Sequence, residues 1–178
     1  DDDGLEDDEE ILGRLSGTYG RFYSHPLDSD SDNDGITDGD EYNIYATNPI
    51  DHDSDGDGLL DGLEIGISQE DIWNDIPFNL KPCNTSFNNY TNCLETWQPD
   101  EDPDTTTDPL KFDTDGDGIE DGIEDLNHNG KLDLPDIEDE LNPCNYETDP
   151  TLDDTDGGGA NDFEECEIDS TNPRDSED

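Results

Sequence analysis

The sequence predicts a mostly irregular, calcium-organised fold: an elongated rod of metal-binding loops with short helical turns, room for a small β-hairpin, and little regular secondary structure. Three observations lead to this prediction. A twelve-residue carboxylate pattern recurs along the chain, only 26% of residues are hydrophobic, and six Lys and Arg stand against 55 acids, giving a net charge of −49. So thin a core cannot overcome that repulsion, whereas bound divalent cations would offset it.

The recurring pattern, here called the loop frame, has acids at positions 1, 3 and 5, glycine at 6, and acids at 9 and 12. This spacing is typical of a loop that wraps calcium, with position 7 giving its backbone carbonyl and position 12 two carboxylate oxygens. Three complete copies begin at Asp30, Asp53 and Asp113. The predicted ligands are Asp30, Asp32, Asp34, Ile36, Asp38 and Glu41, then Asp53, Asp55, Asp57, Leu59, Asp61 and Glu64, then Asp113, Asp115, Asp117, Ile119, Asp121 and Glu124.

Three weaker copies extend the series, so that about six or more calcium ions are expected per unit. One has two amides among its ligands, and another has Gly158 at position 5. Their predicted ligands are Asp125, Asn127, Asn129, Lys131, Asp133 and Asp136, and Asp154, Asp156, Asp162 and Glu165. The last copy is split between the two ends of the sequence, and its ligands are Glu177 followed by Asp1, Asp3, Leu5, Asp7 and Glu10.

The loop frame divides the chain into six segments. These are 1–10, a half-loop completed by 175–178 of the adjacent unit; 11–29, an insertion; 30–64, tandem loops; 65–106, an aromatic lobe; 107–136, tandem loops; and 137–178, a connector with a loop and a C-terminal half-loop. The insertion has no acid over residues 11–27. It is either a local hairpin around a small core, or a contact surface where Arg14 and Arg21 meet acids of a neighbouring protomer.

Four cysteines in a loop-rich, core-poor chain favour an oxidising, extracellular setting. Sequence order suggests that Cys83 pairs with Cys93 and Cys144 with Cys166, which is one of three connectivities. A zinc site is the rival interpretation, but there is no Cys-x-x-Cys or adjacent histidine to favour it. Asn84 and Asn89 each begin an N-glycosylation sequon, which predicts surface placement and glycans wherever the sequons are used.

Three local features suggest a family. Position 7 of the frame is apolar or small (Leu5, Ile36, Leu59, Ile119 and Ala160), Thr-Asn-Pro precedes loops, and residues 113–122 read Asp-Thr-Asp-Gly-Asp-Gly-Ile-Glu-Asp-Gly. These features resemble thrombospondin type 3 repeats in their prokaryotic surface-protein form, over roughly two-thirds of the chain. The loop from Asp125 departs from this pattern and is closer to an EF-hand or dockerin loop, with Lys131 at position 7 and Leu132 at position 8. The resemblance implies a calcium-braced stalk or spacer on the cell surface.

Several function classes are disfavoured. The three histidines have no matched catalytic partner in sequence, and calcium ligation already explains the paired carboxylates, so the chain is not expected to be an enzyme. A calcium sensor would need a methionine-rich groove, and the chain has no methionine. No apolar run approaches ~18 residues, so no membrane span is expected. Nucleic acid is not expected as a partner either. The alternative is an intrinsically disordered acidic chain. Most of the acids fall within the loop frames, and this regular placement favours a metal-organised fold.

The matching ends predict copies of this chain arranged head to tail. Reading on from Asp178 into Asp1 keeps the register of the split loop intact. The expected function is therefore an extracellular, calcium-stabilised structural protein, the subunit of a surface filament or the repeating unit of a tandem stalk. The alternative is a monomeric calcium-braced spacer within a larger adhesin or secreted enzyme.

Overall fold

The computed structural model describes residues 3–16, 20–68, 100–133 and 147–177. Regular secondary structure is sparse in these ranges. The α-helices are Asp7–Leu12, Asp38–Asp40, Asp61–Glu64 and Asp121–Glu124, the π-helical turns are Glu41–Tyr45 and Glu164–Asp169, and the strands are Arg14–Ser16 and Gly20–Phe22. The predicted irregular fold with short helical turns is confirmed, while the rod shape stays a prediction. No helix in the described ranges has the length and apolarity needed to cross a membrane.

The segment after the first helix forms the small hairpin. Its two strands pair antiparallel, with Arg14 opposite Phe22. The Arg14 guanidinium donates to Oε2 of Glu9 at 2.9 Å and lies 4.0 Å from the centre of the Tyr42 ring. Arg21 donates to two main-chain carbonyls at the end of the preceding helix. The hairpin is therefore present and both arginines are engaged within the chain, but the expected small core around it is not: Phe22 is buried, whereas Leu12, Leu15 and Tyr23 are exposed.

Carboxylates dominate the interior of the described ranges. The buried hydrophobic residues are Leu5, Phe22, Ile36, Leu59 and Leu63. Three of these five stand at position 7 of a loop, so each of those loops turns one apolar side chain inward. Buried acids are more numerous, and Asp34, Asp38, Glu41, Asp61, Asp121 and Asp162 are fully buried. Burying ionised carboxylates without counter-charge costs several kcal/mol each, so apolar packing alone does not account for this interior.

Four loops share one internal hydrogen-bond pattern. In the loop from Asp30, the backbone N–H and the hydroxyl of Ser31 at position 2 donate to the two oxygens of Asp38 at position 9, at 2.8 and 2.7 Å. The N–H of Asp38 in turn donates to a carbonyl just before position 1, at 3.0 Å. The same position 2 to position 9 link joins Ser54 to Asp61, Thr114 to Asp121, and Thr155 to Asp162. Each loop is thus closed by its own Ser or Thr.

Successive loops stack through the glycine at position 10. A Cβ on Gly39 would collide with the carbonyl oxygen of Asp3, and one on Gly62 with that of Asp34. A Cβ on Gly122 would collide in the same way with the carbonyl of Asp57. Position 10 of each loop therefore lies directly against position 5 of the loop before it. The Asp-Gly pair at positions 9 and 10 is the sequence requirement for this close approach.

Candidate metal centres

Two kinds of acid cluster recur in the described ranges. The first kind lies within one loop and joins positions 1, 3 and 5, with carboxylate oxygens within 4.8 Å of one another. Its members are Asp30, Asp32 and Asp34 in one loop, and Asp53, Asp55 and Asp57 in the next. Alternate acids turned to one side of a tight turn are what the loop frame predicts. This arrangement offers hard oxygen ligands of the type that Ca²⁺ prefers.

The second kind of cluster lies between loops. It joins positions 5 and 12 of one loop to position 9 of the following loop, again with oxygens within 4.8 Å. Its members are Asp3, Glu10 and Asp38, then Asp34, Glu41 and Asp61, then Asp57, Glu64 and Asp121. The stacking described above produces this arrangement, because the residue before each position 10 glycine is the position 9 aspartate. These shared clusters were not foreseen from the sequence, which placed position 9 among the ligands of its own loop.

The loop from Asp154 stacks on the loop from Asp113 in a related way. The N–H of Phe163, at position 10, donates to Oδ2 of Asp117 at 2.9 Å, as the N–H of Gly122 donates to Oδ2 of Asp57 at 3.1 Å. Asp162 is fully buried at this junction. The loop nevertheless departs from the others at position 5, where Gly158 offers no side-chain ligand.

Four glutamates at position 12 are each held by a hydroxyl that precedes the next loop. Oε1 of the glutamate accepts from the Ser or Thr of a Ser/Thr-x-Pro sequence, and its Oε2 is buried with no hydrogen-bond partner. The pairs are Ser24 to Glu10 at 3.1 Å, Thr47 to Glu41 at 3.2 Å, Thr107 to Glu64 at 2.9 Å and Thr148 to Glu124 at 2.8 Å. Buried polar atoms are nearly always satisfied, so an orphan oxygen recurring in register points to a ligand.

The raised pKa values of these glutamates also indicate a bound cation. Burial, and then repulsion from neighbouring aspartates, raises the pKa of Glu41 to about 12. Burial likewise raises the pKa of Glu64 to about 10 and that of Glu124 to about 9. The negative charge of each is therefore strongly disfavoured unless a cation sits among the oxygens. Ligand chemistry, burial and orphan oxygens all fit Ca²⁺.

The described part of the loop from Asp125 shares one hydrogen bond with the other loops but lacks their position 2 to position 9 link, and it lies outside the stacked series. Its position 1 carboxylate accepts from the N–H of Gly130 at 2.7 Å, as position 1 does elsewhere. Glu124, just before it, accepts a hydrogen bond from Thr148. The loop from Asp125 therefore belongs to an insertion between the stacked loops from Asp113 and Asp154. Hydrogen bonds from Asn127, and then from Lys131 and Asn129, hold the pKa of Asp133 below its usual range. Asp133 is therefore already satisfied without an ion.

Some predicted residues stand apart from these clusters. Asp7 and Glu177 are exposed, and the N–H of Glu177 donates to Oδ1 of Asp175 at 3.3 Å. Cys166 is half-buried at the π-helical turn Glu164–Asp169. Several predicted residues lie outside the described ranges, so the structure says nothing of them: Asp1, Asp136, Cys83, Cys93, Cys144, Asn84 and Asn89. The expected disulfides and glycans therefore stay predictions.

Comparison with known proteins gives no family assignment. No protein-family model, no curated protein and no solved structure matches the chain. The resemblance to thrombospondin type 3 repeats therefore rests on the sequence features alone.

Proposed function

We propose that this chain is an extracellular calcium-binding structural protein whose fold depends on its ions. The observation that favours this function most is the orphan Oε2 of position 12, which recurs at Glu10, Glu41, Glu64 and Glu124. Each lies within a carboxylate-lined interior that burial alone would make unstable. These oxygens would coordinate a bound Ca²⁺, and the charge of the ion would offset the repulsion between the buried carboxylates.

Two ions per stacked loop follow from the two kinds of cluster. One ion would bind positions 1, 3 and 5 within a loop. The other would bind positions 5 and 12 together with position 9 of the next loop. Asp34 belongs to one cluster of each kind, as does Asp57, so a single carboxylate would bridge two neighbouring ions. Calcium would thus hold the loops to one another as well as folding each loop.

Within this proposal the acids have a structural role and not a catalytic one. The carboxylates of the stacked loops are grouped at ion sites and held by hydroxyl clamps. The half-buried His128 contacts the main chain: its Nε2 lies 3.1 Å from the carbonyl oxygen of Gly122. The cell-surface setting, the two disulfides and the glycans complete the proposal and rest on the composition and the sequons described above.

Calcium removal tests this function. The full chain in saturating calcium should be compact, and treatment with EDTA should raise its hydrodynamic radius sharply and open it to proteases. Magnesium at the same ionic strength is the control, because it prefers rigid octahedral sites and should restore the compact state poorly. An unchanged radius and circular dichroism spectrum after EDTA would contradict the proposal.

We further propose that copies of this chain join head to tail, as a filament or a tandem stalk. Asp7, at position 9 of the first described loop, is exposed, whereas the corresponding Asp38, Asp61, Asp121 and Asp162 are fully buried under the preceding loop. A preceding loop from another unit would cover Asp7 in the same way. Copies joined non-covalently and units of one long polypeptide satisfy this equally well.

Replacement of Asp175 and Glu177 by alanine tests the junction. The double variant should lose calcium-dependent assembly, measured by sedimentation, while its internal loops still bind calcium. Assembly that persists unchanged would contradict a junction at these two residues, whereas a wild type that stays monomeric in saturating calcium would leave the monomeric calcium-braced spacer as the better function. The mass of the denatured, reduced polymer then separates subunits of 19.8 kDa from one continuous chain.

A further inference from the structure

Asp100 lies outside every loop frame, yet it is buried against the loop from Asp125. Its N–H donates to the carbonyl oxygen of Ile67 at 3.0 Å, and the N–H of Glu101 donates to the carbonyl oxygen of Asn129 at 2.9 Å. Ile67 and Asp100, which stand on either side of residues 69–99, therefore lie side by side. The chain at this point contacts position 5 of the loop from Asp125.

The carboxylates of Asp100 and Asp125 both lie against Gly130. Oδ2 of Asp125 accepts from the N–H of Gly130 at 2.7 Å. Oδ2 of Asp100 lies 3.2 Å from the point where a Cβ on Gly130 would stand. Each aspartate is only 5% exposed. Glycine is required here because any side chain would push into the Asp100 carboxylate.

Each of these two carboxylates has one buried oxygen without a hydrogen-bond partner: Oδ2 of Asp100 and Oδ1 of Asp125. The other described acids beside this pair are hydrogen-bonded: Oδ2 of Asp133 accepts from the side-chain amides of Asn127 and Asn129 at 2.9 and 3.1 Å. Glu147 accepts from Asn127 at 2.9 Å and from the N–H of Asp133 at 2.7 Å. Orphan oxygens at this place are therefore confined, among the described residues, to the pair that faces Gly130.

The neighbouring lysine does not neutralise this pair. Nζ of Lys131 lies 3.3 Å from Oδ1 of Asp133 and 3.7 Å from Oε2 of Glu101, and both of these acids are substantially exposed. Within the described ranges, no ion pair reaches Asp100 or Asp125. Two buried carboxylates that lie against one glycine, each with an orphan oxygen and neither with a cationic partner, need a hard cation or a shared proton.

We propose that Asp100 and Asp125 bind a further calcium ion, a lateral site that fixes the base of the 65–106 segment to the loop from Asp125. This inference rests on the proposed calcium-binding function, but it uses a ligand that the loop frame does not contain. Water and backbone carbonyls complete the shell, since two carboxylates fall short of the six to eight oxygens that Ca²⁺ takes.

Counting bound calcium in the full chain tests this site. Native mass spectrometry at a fixed free calcium concentration gives the number of ions retained by the wild type and by D100N, D125N and the double variant. Each of the three variants should retain one ion fewer than the wild type, because both residues serve the same ion. D104N is the matched control: it removes the same charge from an exposed acid of the same segment and should retain the full number.

The outcomes separate this site from the proposed function. If the wild type retains no calcium, both fall together. If the wild type retains calcium and D100N retains the same number, the pair shares a proton and the lateral site is wrong. Sedimentation at saturating calcium checks that each variant is folded. D125N approaches the site from a different segment, so a folding defect in D100N alone does not remove the test.

Discussion

Thr148 donates a hydrogen bond of 2.8 Å to Oε1 of Glu124 across 24 residues of sequence, and Oε2 of the same glutamate is buried without a partner. The hydroxyl thus orients a carboxylate whose free oxygen faces the interior of the site. The same relationship recurs at three other loops, so it is a positioning device of the repeat and not a local accident.

Removing this hydroxyl should weaken one ion site. We expect T148V to lower calcium affinity at the site of Glu124 about tenfold, because a hydrogen bond to a charged group contributes about 1.5 kcal/mol or more. Isothermal titration of the chain with calcium measures the change. T151V is the matched control, since the Thr151 hydroxyl is exposed and bonds only to the nearby Asp149. Equal losses in the two variants would contradict a specific role for the clamp.

The shared clusters predict a non-additive count of ions. Glu41 and Asp61 belong to different loops but to one cluster. E41Q and D61N should therefore each retain one calcium fewer than the wild type, and the double variant should lose no second ion. Native mass spectrometry provides the count, with D40N as an exposed control. Loss of two ions from the double variant would show that each loop binds its ion independently.

The close stacking predicts that alanine at Gly39 is harmful. Helix propensity alone would make G39A stabilising by up to about 1 kcal/mol within the helix Asp38–Asp40. The carbonyl of Asp3 blocks the new Cβ, so we expect the opposite sign and a loss of roughly 2 kcal/mol in the calcium-loaded state. Thermal unfolding at saturating calcium measures it. D40A, at the next and exposed position, should be neutral or stabilising, and similar behaviour of both variants would argue against the stacking.

The raised pKa values predict opposite pH responses with and without calcium. Unfolded glutamate titrates near 4.5, whereas burial raises the folded pKa of Glu64 to about 10 and that of Glu124 to about 9. Protonation therefore stabilises the calcium-free fold. This contribution is full below pH ~4.5 and falls steadily as pH rises through 9 to 10.

Between pH 8 and pH 5 the calcium-free chain should accordingly contract, while the chain at limiting calcium should release ions and expand. Small-angle scattering measures both responses. Ordinary surface acids stay ionised over this interval, so E64Q should contract less than the wild type. If the radius of the calcium-free chain did not depend on pH, the raised pKa values of the buried glutamates would be contradicted.

The loops themselves could be predicted from the sequence because their determinants are local. Positions 1, 3 and 5, the glycine at position 6, and the apolar position 7 all act within one turn, as at Asp30 to Ile36. The contacts between loops could not be predicted from the sequence, because stacking in three dimensions decides which loop lies against which. Asp121 meets Asp57 and Glu64 after the long 65–106 insertion, and no spacing rule spans that gap.

Two sequence signals were nevertheless available for the junctions. The Ser or Thr two residues before a proline that precedes a loop marks the clamp, as at Thr107 and Thr148. The glycine after the position 9 aspartate in the three complete loops marks the stacking surface, as at Gly62. Asp100 had no such signal, since it belongs to no repeat and becomes recognisable only when burial and missing hydrogen bonds are seen together.

Under the proposed function, the double membership of Asp34 and Asp57 has a consequence for the order in which calcium would occupy the sites. An ion bound on one side of such a carboxylate orients it for the ion on the other side, so occupancy should spread between nearest neighbours as in a zipper. At intermediate calcium, the population would divide into fully loaded stretches and empty stretches separated by sharp boundaries. The protein would respond to its ion as a row of linked switches, with a threshold steeper than any single loop could give.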